Sequence, residues 1–274
     1  MLQQLIEIAN SAGEVLLNMQ TQVRSDIRHN DGIIAKGRGD FATNADLEAE
    51  KIIKAKLNQL YPDIPIVAEE SNLLSVLPNT YITVDPLDGT IIYSRGASEW
   101  GTSICLIENG SPKCGVVRFP RLGITLTTRQ GQGSFINDDK VKLQSEMDES
   151  KFILAMDIFY KTDSKEILDF LLPLIKSERV LISRSQGCAV GSTLSLLKGE
   201  VDAYYCGRAK VWDIATCHLA VQEAGGSVGA TLEETFDWSN LQKGQVFASD
   251  SKLASELARL ARSALKNAVT TCKT

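Results

Sequence analysis

The sequence predicts an α+β half followed by an α/β half, and three observations predict it. Two segments near the start carry apolar residues at helical spacing. Between residues 101 and 136, short apolar runs alternate with turns rich in glycine and asparagine, the pattern of an antiparallel meander. Beyond residue 148, strand-like runs alternate with helix-like ones, as in an α/β unit.

Leu2, Leu5, Ile6, Ala9, Ala12, Leu16 and Met19 share one helical face, so a helix is expected from residue 2 to about 20. Residues 25–40 hold Asn30, Asp31, Gly32, Gly37, Gly39 and Asp40, turn-formers that break regular structure outside residues 33–35. Thr43-Asn44-Ala45-Asp46 then reads as a capped helix start before Leu47, Ile52, Ile53, Leu57 and Leu60. Residues 64–68 and 81–84 are short β-rich runs that end on carboxylates, Glu69 and Glu70 in the first and Asp85 in the second. The meander takes residues 104–107, 116–119, 124–128 and 134–136 as strands. The polar stretch 137–150 is the expected seam, dividing the chain into halves 1–148 and 149–274. Strands at 152–156, 180–182, 202–205 and 246–248, with helices at 164–177, 191–198, 212–224 and 251–268, complete the reading. No repeat of 20 to 50 residues is visible.

With 43% hydrophobic and 23% charged residues in 274, the chain has ordinary globular composition, which excludes a disordered or fibrous protein. The formal charge of -5, from 34 acidic and 29 basic residues with no basic run, argues against a nucleic-acid partner. Six cysteines at irregular spacing, with no C-x-x-C pair, are expected to be reduced thiols. The N-terminus lacks the basic start and apolar run of a signal peptide, and no apolar stretch approaches the roughly 18 residues of a membrane span. A cytoplasmic protein without a membrane partner is expected.

The strongest chemical feature is Asp85-Pro86-Leu87-Asp88-Gly89-Thr90, where a β-run ends in an aspartate and a turn is expected. Pro86 fixes its own φ and Gly89 accepts conformations other residues resist, so Asp85 and Asp88 can converge across a tight bend. Convergent carboxylates repel unless a cation lies between them, and oxygen-only neighbours suggest a hard divalent ion such as Mg²⁺. If a helix starts there, the amides of Gly89 and Thr90 would point at an anion such as phosphate. Taken alone, Asp-x-x-Asp-Gly is equally a solvated acidic turn. Glu69 and Glu70 read alone as exposed loop acids, Asp213 as an acid at a helix N-terminus, and Asp46 as the partner of the Thr43 cap.

Taken together, Lys36, residues 40–46, Ala68-Glu69-Glu70-Ser71, residues 85–90, Gly115-Val116-Val117, residues 131–133, Trp212-Asp213-Ile214-Ala215-Thr216 and Glu223-Ala224-Gly225-Gly226 resemble the inositol monophosphatase family. That family lies within a larger group that includes fructose-1,6-bisphosphatases and bisphosphate nucleotidases. The resemblance covers almost the whole chain. It implies a layered αβαβα sandwich with metals at the junction of its halves, and homodimers, which are common in the family.

The resemblance implies two or three Mg²⁺ ions. Glu69, Asp85, the carbonyl of Leu87 and Thr90 would hold the first, and Asp88 and Asp213 would join a bridging Asp85 on the second. A weaker third would lie near Glu69, with Asp46 acting through water. Thr90, oriented by Asp46, would activate the attacking water, while phosphate would rest on the amides of Gly89 and Thr90. Metals are favoured over side-chain acid–base chemistry as the main effect, because phosphate monoester hydrolysis needs acceleration approaching ~10²¹-fold, whereas one positioned acid or base contributes about 10² to 10⁴. His29 and His218 lie outside the matching motifs and are expected to be structural or surface residues. No cysteine is followed six positions later by arginine, so a thiol phosphatase is excluded.

The resemblance places Ala189 against the substrate beyond its phosphate. Inositol-specific relatives carry a glutamate seven residues before the Trp-Asp aspartate, and this chain has Cys206 there. A thiol is a poor substitute for that acceptor, which weakens strict inositol specificity. Arg208 and Lys210 read either as solvated loop cations or as contacts to a second anionic group. The expected activity is Mg²⁺-dependent, lithium-sensitive hydrolysis of a small phosphate monoester, inositol monophosphate first. The alternatives are a 3'(2'),5'-bisphosphate nucleotidase, a fructose-1,6-bisphosphatase, a histidinol-phosphatase, or a non-catalytic metal-dependent binding protein.

Overall fold

The structure is a computed structural model that describes residues 1–28, 33–37, 40–72, 74–144, 151–157, 164–232 and 236–271. His29, Cys272 and the expected boundary near residue 148 lie outside the described residues, as do the side chains of Lys36, Asp40 and Arg208.

The chain opens with α1 (Leu2–Arg28), β1 (Ile33–Gly37), β2 (Asp40–Thr43) and α2 (Asn44–Leu60). α1 runs about two turns past its expected end, because Val23 stays buried and Gln20 Nε2 donates to the carbonyls of Tyr93 and Ala97, each at 3.1 Å. These are tertiary contacts that local spacing does not reveal. β1 and β2 pair as an antiparallel hairpin within a segment expected to be mostly irregular. The Thr43 cap forms as expected, with its Oγ1 accepting the N–H of Ala45 at 3.2 Å.

Next come β3 (Ile66–Ala68), β4 (Tyr81–Asp88), α3 (Thr90–Ser94), β5 (Gly101–Glu108), β6 (Ser111–Phe119), β7 (Ile124–Arg129), β8 (Gly133–Ile136) and β9 (Asp139–Val141). They form one seven-stranded sheet in the order β3-β4-β5-β6-β7-β8-β9, parallel only between β3 and β4. The bend expected at residues 85–88 is instead a break in register within β4, between Asp85 and Asp88. Pro86 brings no N–H to the ladder, and its carbonyl accepts the Thr102 hydroxyl at 2.8 Å. Gly89 makes the turn itself, at φ +97°, and α3 starts at Thr90. β9 lies inside the stretch read as a polar seam, so the meander has one more edge strand than expected.

The second part contains β10 (Phe152–Met156), α4 (Ser164–Lys176), β11 (Val180–Arg184), α5 (Ala189–Leu197), β12 (Ala203–Lys210), α6 (Val211–Glu223), β13 (Ser227–Ala230), β14 (Gln242–Ala248) and α7 (Ser251–Thr271). Its five strands form a mixed sheet in the order β11-β10-β12-β14-β13. β13 was not expected, since Ser-Val-Gly-Ala has little strand propensity of its own and pairs because β14 lies beside it.

The cores show how these pieces stack. α1 and α2 pack on one face of the large sheet through Leu5, Leu16 and Ile53 against Ile82, Ile104 and Val116. α5 and α6 lie between the two sheets, with Val117 and Leu126 on one side and Tyr204 and Phe247 on the other. α4 and α7 cover the far face of the small sheet through Phe170 and Leu257. The result is a five-layer αβαβα sandwich. Among the described residues no helix is long and apolar enough to cross a membrane.

Candidate active site

β3 and β4 run parallel with Ala68 opposite Val84, so the next residue on each strand, Glu69 and Asp85, stand side by side. The N–H of Glu69 donates to the carbonyl of Val84 at 3.1 Å, which prolongs the pairing. Asp213 arrives from the middle layer, in the first turn of α6, where its carboxylate accepts the N–H of Lys210 at 2.7 Å. One turn further along α6, the Thr216 hydroxyl shares a hydrogen bond of 3.0 Å with Ser103, the residue opposite Asp85 on β5. That link holds the start of α6 over the end of β4. One carboxylate oxygen from each of Glu69, Asp85 and Asp213 consequently lies within 4.8 Å of the other two.

Burial raises Asp85 well above the usual carboxylate range, and the charges of Glu69, Asp88 and Asp213 add to it, while the N–H of Leu87, donating at 3.0 Å, works against them. Burial likewise raises Asp213, with Glu69 and Asp88 adding repulsion and the N–H and charge of Lys210 opposing it. Asp88 is pushed up to about 7, chiefly by burial and then by Glu69 and Asp157, against the N–H groups of Val190 and Ala189. The Val190 N–H donates to Asp88 Oδ2 at 2.7 Å, so this carboxylate is tied to the first turn of α5.

Thr90 Oγ1 lies 2.9 Å from Asp46 Oδ1 and 3.2 Å from the Leu87 carbonyl, and its single proton can serve one of them at a time. Asp46 Oδ2 accepts both the N–H and the hydroxyl of Thr43, at 2.8 and 2.6 Å. Asp46 therefore closes the cap of α2 and also faces Thr90.

Ala189 is the buried first residue of α5. Cys206 is buried on β12, beside a break in register against β14, and burial raises its thiol far above the ordinary range. Lys210 is not a freely solvated loop cation, because it is half-buried at the end of β12 beside Asp213. His218 is a core residue: its Nδ1 is 3.1 Å from Gln245 Oε1, and its ring meets Phe236 and Trp238 edge-on.

Other motif residues are architectural. A Cβ at Gly115 would come within 2.9 Å of Thr216, so α6 can approach β6 only over glycine. The Glu223 carboxylate, at the far end of α6, accepts the N–H groups of Gly131 and Gly133 at 2.8 and 2.9 Å and closes the hairpin between β7 and β8.

Two acids near the site were not singled out. Glu50 is buried on α2 and accepts the Glu70 N–H at 2.8 Å, steadying the chain just after Glu69. Its spacing of four from Asp46, which puts both on one helix face, was the available signal. Asp157 follows β10 and binds the segment entering α5. Its only local signal was a place at a strand end.

Comparison with known proteins adds four findings. The inositol monophosphatase family profile matches residues 1–266. The chain is 33% identical over 229 residues to "Nus factor SuhB" of Xylella fastidiosa, covering 82% of this chain and 79% of that one. It is 30% identical over 192 residues to "Fructose-1,6-bisphosphatase/inositol-1-monophosphatase" of Thermotoga maritima, covering 70% and 72%. Among solved structures, extragenic suppressor protein suhB from Bartonella henselae superposes with a TM-score of 0.82 at 25% identity, over 95% of this chain and 97% of that one.

Proposed function

The chain belongs to the inositol monophosphatase family, and from that premise we propose that it hydrolyses small phosphate monoesters with Mg²⁺, inositol monophosphate first. The observation that carries this reading is the meeting of Glu69, Asp85 and Asp213. Every donor there is an oxygen and Asp85 is buried, so these residues fit a hard divalent cation. Glu69, Asp85, the Leu87 carbonyl and Thr90 would hold one ion, and Asp85, Asp88 and Asp213 a second. A third would lie near Glu69 and Asp46.

When bound, Mg²⁺ would offset the phosphate charge and polarise the attacking water. The amides of Gly89 and Thr90 would cradle the phosphate. With its proton directed to Asp46 Oδ1, Thr90 Oγ1 presents a lone pair to that water, and Asp46 can take up a proton relayed through the hydroxyl. Ala189 and Cys206 would face the rest of the ester. Because a protonated thiol is a weak acceptor, the reading extends to nucleoside 3'(2'),5'-bisphosphates, fructose 1,6-bisphosphate and histidinol phosphate.

The same reading has the protein acting in the cytoplasm on small molecules rather than on nucleic acid or membrane, with residues 1–148 and 149–274 as its two halves. It would act as a homodimer. Exposed apolar side chains on α4 and the edge strand β11, among them Leu168, Ile175 and Ile182, support self-association, which sedimentation of the purified protein would test.

A second reading is a non-catalytic, metal-dependent binding protein, which the name Nus factor on similar proteins favours. It does not account for the Thr90 hydroxyl set between Asp46 and the Leu87 carbonyl, which metal-dependent binding alone does not require. The deciding measurement is phosphate release from the substrate panel with Mg²⁺, then with Li⁺, which is expected to inhibit. Asp88→Asn should cut turnover more than about a hundredfold, since even partners of ligands are worth about 10- to 100-fold, and should leave the circular dichroism spectrum unchanged. Mg²⁺-loaded protein that releases phosphate from no ester would transfer the case to the binding reading.

A further inference from the structure

Asp157 stands directly after β10, outside every motif assigned above, yet its carboxylate gathers three donors. Oδ1 accepts the N–H of Gly187 at 2.7 Å and the hydroxyl of Ser185 at 2.8 Å, and Oδ2 accepts the hydroxyl of Ser192 at 3.1 Å. Ser185 and Gly187 lie in the segment that leads into α5, and Ser192 lies in its first turn. Asp157 thus grips the start of this helix from both sides.

The grip leads to the acidic site. Gly187 has φ +78°, and a Cβ there would come within 2.7 Å of Ile92 on α3, so the segment can turn close against α3 only with glycine. Three residues on, the Val190 N–H donates to Asp88 Oδ2. Ala189, expected to face the substrate, lies between them. A negative charge near Asp88 opposes that residue's ionised form, so the fold keeps Asp157 there at an electrostatic cost.

We propose that Asp157 is a positioning residue, which fixes the entry to α5 so that the Val190 amide orients Asp88 and Ala189 borders the substrate. The inference deepens the phosphatase reading and rests on it for its kinetic consequence only.

The test compares Asp157→Ala with Asp157→Asn. Asparagine keeps an oxygen for Ser185 and Gly187, and the Ser192 hydroxyl can rotate to accept from its amide. Two quantities are read besides turnover: hydrogen exchange over residues 185–195, and Mg²⁺ affinity by calorimetry. In Asp157→Ala, exchange should accelerate and Mg²⁺ affinity should fall by about 10- to 100-fold, the usual effect of removing a group that orients a ligand. Asp157→Asn should stay within about threefold of the unsubstituted protein on both measures, because its bonds are replaced rather than lost.

Unchanged exchange and affinity in Asp157→Ala would overturn the proposal, as would equal damage in Asp157→Asn, which would assign the effect to charge. Should the alanine variant not fold, Ser192→Ala takes its place, and native exchange in that variant would overturn the proposal too. Absence of esterolysis in the unsubstituted protein would sink the phosphatase reading alone, while the exchange comparison would still decide the role of Asp157.

Discussion

At position 206 a buried thiol stands among Tyr204, Asp88 and Asp213, and in the proposed function it faces the ester where inositol-specific relatives carry a glutamate. Burial keeps the thiol protonated, a poor donor and a poor acceptor. Cys206→Glu restores the acceptor. One hydrogen bond of about 0.5 to 1.5 kcal/mol should raise the preference for inositol phosphate over bisphosphates by roughly two- to tenfold. The readout is the ratio of kcat/KM values, and an unchanged ratio would remove Cys206 from the account of specificity.

Single residues also show what the sequence makes legible. Glu69 follows a strand, Asp85 closes the apolar run of β4 and Asp213 opens a helix, so local pattern marks them. Asp46 was legible as a cap, and its expected place beside Thr90 is met by a hydrogen bond alongside the one to Thr43. Asp157 also ends a strand, but nothing local says that donors 28 to 35 residues away will converge on it.

Among the elements, α6 and β6 show why a motif without reactive groups can matter. Gly115 lets the helix approach, and Thr216 opposite it is buried, β-branched and hydrogen-bonded to Ser103, so it has little room to give way. Gly115→Ala should destabilise the protein by about 1 to 3 kcal/mol, the usual cost of forcing an extra carbon into a packed core. A urea unfolding midpoint equal to that of the unsubstituted protein would contradict this. The amphipathic helices and the four apolar strands of the meander were legible because each carries its own periodicity. β9 and β13 were not, because Asp-Lys-Val and Ser-Val-Gly-Ala become strands only beside a formed neighbour. The end of α1 was hidden for a related reason, since Gln20, at the expected end, bonds to residues 93 and 97 and Val23 beyond it is buried by tertiary packing.

For the molecule as a whole, His218 makes one contribution to stability that acid removes. Burial lowers its pKa to about 4 from 6.5, with the bond to Gln245 opposing the shift. A depressed pKa means that the unfolded chain takes up a proton first. This contribution to stability is therefore complete above about pH 6.5 and is lost as the pH falls toward about 4, reaching roughly 3 kcal/mol. The raised Asp85, Asp88 and Asp213 carboxylates act in the opposite direction. The readout is therefore chemical denaturation of the protein beside His218→Gln, and stability should decline more steeply between those limits in the unsubstituted protein than in the variant. An equally steep decline in that variant would place the sensitivity elsewhere.

The middle helix has a last consequence. α6 is buried around almost its entire circumference, with one sheet above and another below. It has no open flank along which to glide, so Asp213 can leave Glu69 and Asp85 only when the two sheets part. Under the proposed function, heating should therefore abolish cation binding in the same step as the cooperative melt, with no intermediate that is still folded yet unable to bind.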